Sequence, residues 1–283
     1  LRPDQGGAGK KNDHTSLKCH LVDTPKKFDS FFKKLQKKKC FAIDTETTSL
    51  NPIDAELVGI SISWKAGEGY YIPVKVPLGQ PHLDVDLLQS KLAPLFSDPA
   101  IGKSGQNIKY DLNILRCADL PLEGVVFDTM IASFVLDSHR LRHGLDSLAF
   151  DHLNYETIHL EELIGKGKKR ITFDMVEPHM ATDYAAEDAE VTWRLTEFYQ
   201  KRMTDGPLNT LFEEVEMPLL AVLAEMELHG IALNVPWLKK LNVSMTDQME
   251  KLVIDIHQEA GRVFNVDSPK QLGEVLFNEL ALA

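Results

Sequence analysis

Cysteine is scarce: Cys19, Cys40 and Cys117 are the only three in 283 residues, and no two form a CxxC pair. That excludes a disulfide framework and a cysteine-based zinc site, and it fits a reducing, cytoplasmic compartment. No apolar run approaches the roughly 20 residues of a membrane span. The polar, glycine-containing opening residues offer no secretory apolar core either. Internal repeats are missing, and so is a basic excess: 31 Lys+Arg stand against 42 Asp+Glu, a formal net charge of −11. Such acidity argues against a general nucleic-acid coat protein, because phosphate binders are usually basic. A core is not missing, since 43% of the residues are hydrophobic, which excludes wholesale disorder.

The charge is unevenly placed. Residues 1–40 hold eleven Lys/Arg and four Asp, or +7, so the other 243 residues carry 20 basic and 38 acidic side chains, or −18. The chain opens on Leu1 rather than Met and stops at Ala283 within a helical pattern, so it reads as part of something longer. A flexible segment is expected over 1–13. Thr24-Pro25 then predicts an N-cap and first helical residue, with Phe28, Phe31, Phe32 and Leu35 at helical spacing and the lysines on the solvated face.

Cys40 to Ile43 reads as an apolar strand running into Asp44, and Leu57–Trp64 with Tyr70–Val74 as a β-hairpin. In that hairpin Val58, Ile60, Ile62 and Trp64 share one face and Gly59, Ser61 and Ser63 the other. Helices are expected near 83–97, 107–117, 128–136, 144–153 and 178–203, with a strand at Val125–Phe127 and a short connection at Gly102–Gly105. The alternation predicts an α/β fold. Thr204-Asp205-Gly206-Pro207 marks a domain boundary, and the tail beyond it reads as helices beginning at Pro218, Pro236 and Ser268-Pro269.

The informative residues are acids placed where acids are costly. Asp44 and Glu46 follow the apolar run two apart, so both project from one face of a strand. Asp188 lies four residues after Tyr184, in line with Val191 and Leu195, and Asp111 lies four after Asn107 near Leu115. Each pattern alone is weak. Asp54-Ala55-Glu56 and Asp188-Ala189-Glu190 are further D-x-E pairs, with Asp54, Glu56 and Glu190 expected to face solvent. The set is specific. Four acids converging without cations would repel strongly, and no His or Cys joins them, so an all-oxygen site for Mg²⁺ or Mn²⁺ is expected rather than zinc. His139, His143 and His152 have no cysteine beside them and read as surface or core histidines.

Asp44-Thr45-Glu46-Thr47-Thr48-Ser49-Leu50, Gly105-Gln106-Asn107-Ile108-Lys109-Tyr110-Asp111 and Tyr184-Ala185-Ala186-Glu187-Asp188-Ala189 resemble the three motifs of DEDD-type 3′→5′ exonucleases, tyrosine subclass. The detailed match is to the proofreading domain of bacterial family A DNA polymerases. Phe127-Asp128-Thr129-Met130, Leu145 to Ala149 and Gly165 to Lys168 also resemble it. Glu216 to Leu219, His229-Gly230-Ile231 and Ser268 to Leu272 resemble the start of a polymerase thumb. The resemblance implies an RNase H-like mixed β-sheet flanked by helices over 14–206, then a small all-helical thumb fragment over 207–283. Palm, fingers and polymerase activity would be absent.

It also implies roles. Asp44 would bridge two divalent cations, Mg²⁺ with Mn²⁺ able to substitute. Glu46 and Asp188 would hold the water-bearing ion, and Asp111 would support the second. Tyr184 would orient the attacking water with Glu46. Leu50 would wedge against terminal bases, with Thr45, Gln106, Asn107, Lys109 and Tyr110 at the 3′ end. The implied partner is a single-stranded DNA 3′ end, within a cytoplasmic, nucleoid-associated bacterial polymerase chain acting as a monomer. Many relatives carry an aromatic before Glu161-Glu162, where this chain has Leu160.

Two alternatives stand beside this reading: a ribonuclease D-like RNA-trimming enzyme, which the thumb-like tail disfavours, and a silent exonuclease scaffold, which the full acid set disfavours. Among the basic residues Lys103, Lys109, Arg140, Arg142, Lys166, Lys168, Lys169 and Arg170, the preferred phosphate contacts are Arg142 and the 165–170 loop.

Overall fold

The computed structural model describes residues 17–203 and 206–282. The expected flexible segment 1–13 and Thr204 and Asp205 of the expected boundary lie outside the described residues. Six strands form one sheet: β1 Lys18–Leu21, β2 Cys40–Thr47, β3 Leu57–Lys65, β4 Glu68–Pro73, β5 Gly102–Gly105 and β6 Val125–Asp128. They lie in the order β1-β4-β3-β2-β5-β6. The pairs β2/β3 and β3/β4 are antiparallel, and β1, β5 and β6 are added in parallel. The expected mixed sheet flanked by helices is present.

Helices cover both faces: α1 Pro25–Leu35, α2 Val85–Phe96, α3 Ile108–Cys117, α4 Thr129–Leu136, α5 Leu145–Leu148, α6 Leu160–Ile164, α7 Pro178–Gln200, α8 Pro207–Leu211 and α9 Met217–His229. The Thr24 hydroxyl accepts from Lys27 N at 3.4 Å with Pro25 at the first turn, so α1 starts where its capping sequence places it. Phe41, Ile43, Ile60, Ile62 and Ile72 face α1, α2 and α3 in the larger apolar cluster. Burying each such side chain contributes about 1.5–3 kcal/mol.

The opposite face carries small residues, and α7 lies across it. A Cβ on Gly69 would sit 2.2 Å from the Ala186 carbonyl of α7, so only glycine permits this approach. A Cβ on Gly59 would sit 2.3 Å from the edge of the Tyr71 ring. The β2/β3 register shifts between Glu46 and Thr47, and this bulge moves Val58 off the face of Ile60 and into the cluster with Tyr71, Phe173 and Ala185. The sequence alternation alone had placed Val58 with Ile60.

The compact unit built on the sheet runs through His229, with α9 packed on α3. From Gly230 a second unit contains α10 Val235–Glu259 and α11 Pro269–Gly273. Within it Arg262 pairs with Glu279 at 2.7 Å, and the Phe264 ring packs edge-on to His257. Among the described residues no helix is long and apolar enough to cross a membrane.

Candidate active site

Strand period two sends Asp44 and Glu46 to the α7 face, where Asp44 pairs in register with Ser61 and Glu46 with Gly59. These small partners leave room above the sheet, and Ala185, Ala186 and Ala189 keep α7 close. Asp188 descends from α7 into that space. One oxygen from each of Asp44, Glu46 and Asp188 lies within 4.8 Å of the others, and no histidine or cysteine shares the set. Asp111 stands apart: its Oδ1 accepts from Thr45 N at 2.9 Å and from the Thr45 hydroxyl at 2.6 Å. The backbone between the two strand acids is thereby tied to α3.

The cluster is electrostatically uncomfortable. Burial raises the Asp44 carboxyl to about 7 against the opposing Ser61 hydroxyl. Burial, then the charges of Asp44, Asp188 and Asp111, pushes Glu46 well above the carboxylate range. Burial and the Asp44 charge do the same to Asp111 and Asp188. Tyr184 is raised by burial and then by Asp188, Glu46 and Asp44, so its hydroxyl stays protonated. Among the described residues no lysine or arginine forms an ion pair with any of the four acids. Glu46 Oε1 is buried with no hydrogen-bond partner. A carboxylate set with an unmatched buried oxygen and no protein cation is what a hard divalent cation fits.

The model of a 3′-5′ exonuclease family matches residues 19–204. The chain belongs to this exonuclease family. Among its relatives, DNA polymerase I of Pseudomonas aeruginosa is 42% identical over 260 residues, covering 90% of this chain and 28% of that protein. DNA polymerase I of Chloroflexus aurantiacus is 40% identical, covering 88% and 26%. The chain therefore spans about a quarter of the length of these curated relatives. Its fold is similar to the polymerase domain of Pol1 from M. smegmatis in complex with DNA primer-template and dNTP. The TM-score is 0.70 at 23% identity, over 93% of this chain and 41% of that one. Brucella melitensis NrnC follows at TM-score 0.52 and 23% identity, over 75% and 90%. The sheet is RNase H-like.

Asp44, Glu46 and Asp111 open into a cleft of about 620 Å³ that Thr45, Leu50, Gln106, Asn107, Tyr110 and Arg170 also line. Leu50 stands 87% exposed at the lip. Its loop is fastened from α3: the Tyr110 hydroxyl donates to Ser49 O at 2.6 Å and lies 2.5 Å from the Thr47 hydroxyl. Asn107 precedes α3 in a left-handed conformation, φ 57°, rather than sharing its face with Asp111. Gln106 Nε2 donates to His143 O at 2.7 Å. Lys109 lies outside the cleft and pairs with Glu227 of α9. Arg142 lines a separate hollow with Phe150 and His159.

Three further sequence expectations are corrected. Glu190 is buried, accepting from Gly67 N at 2.8 Å with Arg194 Nη1 at 3.6 Å, whereas Asp54 and Glu56 do face solvent. Gly102–Gly105 is a strand. Lys103 within it is fully buried and donates to Asp98 O at 2.7 Å, which removes it from the phosphate-tracking residues.

The sequence also missed cleft residues. Ile171, Thr172 and Phe173 form one wall, and Phe173 packs 5.9 Å from the Tyr184 ring. Nothing in their irregular pattern marks them. Ser61 carried a signal, standing between Gly59 and Ser63 on a face with no apolar residue.

Proposed function

We propose that the domain removes nucleotides from the 3′ end of single-stranded or frayed DNA, with two divalent cations, as the proofreading portion of a DNA polymerase I. The observation that supports this most is the Asp44, Glu46 and Asp188 set around the partnerless Glu46 oxygen. Asp44, Glu46 and Asp188 would hold the ions and Asp111 would support the second. When bound, the ions lower the pKa of water and offset charge on the leaving oxygen.

The chain's own groups do the rest. Tyr184, protonated across the working range, would donate from α7 toward the attacking water, and Glu46 would orient it from β2. Water adds to phosphorus, the bond to the 3′ oxygen breaks, and that oxygen takes a proton, leaving a 3′ hydroxyl and a nucleoside 5′-monophosphate. Leu50 separates the last bases by apolar contact, which suits any sequence. Arg170, which lines the cleft, would meet the phosphates. The 14–206 portion is the exonuclease domain in this reading, and 207–283 the start of the thumb.

A 5′-labelled single strand with Mg²⁺ or Mn²⁺ should yield a ladder shortening from the 3′ end, faster for DNA than for RNA. Asp44→Ala should abolish it while the chain still melts cooperatively. An undigested strand with the unaltered chain would favour a silent scaffold, and faster loss of RNA would favour an RNA-trimming enzyme.

A further inference from the structure

The strongest positive surface lies on the face of the sheet opposite the acid cluster. Helix α1 and the segment after it carry Lys26, Lys27, Lys33, Lys34, Lys37, Lys38 and Lys39 against a single acid, Asp29. Lys65, at the end of β3, joins Lys33, Lys34, Lys37 and Lys38 around one shallow hollow beside Trp64, where the one acid, Glu68, is engaged by His20 and the Tyr70 hydroxyl. Among the described residues Lys33, Lys37, Lys38, Lys39 and Lys65 pair with no carboxylate, although the chain has 42 acids to offer. A helix dipole favours one or two cations in the last turn. It does not call for this many, and mutual repulsion opposes them.

The surface is also firmly built. Trp64 stacks on Tyr70 with centroids 4.5 Å apart, and Tyr70 stacks on His20 at 4.6 Å. Lys38 Nζ lies 5.4 Å above the Trp64 ring and Lys34 Nζ donates to the Tyr70 hydroxyl at 3.2 Å. Two lysine stems are thus held down on aromatic ground, which lowers the entropy lost when a partner arrives.

We propose that this lysine face binds the phosphodiester backbone of duplex DNA, without reading sequence, as a site separate from the cleft. The lysines supply point charges that suit phosphate oxygens, and residues 41–283, with a formal charge of −18, repel DNA and so orient the chain on it. The site does not depend on the acid cluster or its ions.

The test uses the full chain carrying Asp44→Ala in chelating buffer, so that nothing is digested. Binding of a fluorescein-labelled duplex is followed by anisotropy between about 50 and 200 mM salt. Combined Lys33→Glu, Lys37→Glu and Lys65→Glu should weaken binding at least about tenfold and reduce the log–log salt slope by about two to three, near 0.9 per phosphate contact. The same three changed to Gln should give a smaller loss of the same sign, and they carry the test if the Glu set fails to fold. Lys91→Glu on α2 should leave binding unchanged. In a chain that keeps Asp44, the triple variant should trim a short single strand at the normal rate.

Unchanged duplex affinity and slope would overturn the proposal. So would polyglutamate competing as well as duplex at equal charge, which would make the partner an acidic polypeptide. Loss of short-strand trimming in step with duplex binding would show one site rather than two. Absence of any trimming by the unaltered chain would fail the nuclease reading and leave this one standing.

Discussion

Glu46 shows what one carboxylate costs in this fold. Its Oε1 is buried without a partner and three other acids raise its proton affinity. Glu46→Gln keeps the shape and removes the charge. The chelated protein should then melt higher at pH 8, while trimming with Mg²⁺ falls by about 10³-fold, since a cation's stabilisation is worth several kcal/mol. Opposite movements of stability and rate are the signature of a site built for charge.

The same residues set a pH dependence. Asp44, Glu46, Asp111 and Asp188 all have raised proton affinity in the folded chain, Asp44 to about 7. Between the unfolded carboxylate range near 4 and these folded values, the native state holds more protons than the unfolded one. Stability without metal is therefore fullest below about pH 4 for these groups and falls as pH rises through 7 and beyond. Thermal melts across pH should show this decline in chelator, and added Mg²⁺ should flatten it.

At the level of elements, α7 is held by two different devices. Gly69 lets β4 meet the Ala186 carbonyl, so Gly69→Ala forces backbone apart and should cost at least about 1–3 kcal/mol. It should slow trimming as well, because Asp188 and Tyr184 move with α7. Glu187, beside Asp188 but pointing away, accepts from the Tyr155 hydroxyl and from Ile158 N, each at 2.6 Å. It pins the segment leading into α6, whose Leu160 and Ile164 line the cleft. Glu187→Ala should lower stability by about 2–3 kcal/mol, near 1–1.5 per hydrogen bond. Hydrogen exchange should speed up over 155–164 first.

Elements with a strong period were readable from sequence: the Cys40–Ile43 run ahead of Asp44, and the Tyr184, Asp188, Val191 stripe. β5 was not, because Gly102-Lys103-Ser104-Gly105 has no apolar alternation and hides its lysine by donating to a backbone carbonyl. Glu190 was misjudged because its partners, Gly67 and Arg194, could not be seen on a helical wheel. Lys18–Leu21 became an edge strand only by pairing with β4, a contact between distant parts of the chain.

For the whole molecule, the net charge of −11 is a poor guide to partners, and its distribution is a better one. The buried acids cluster on one face of the sheet, and the lysines of α1 and the segment after it gather on the other. The central claim is that the Asp44, Glu46 and Asp188 set is a divalent-cation site. A calorimetric titration of the full chain with Mn²⁺, repeated on Asp44→Ala, tests it directly. The account predicts saturable binding with proton release near neutral pH, lost in the variant. Equal binding by both proteins, or none by the unaltered chain, would contradict it.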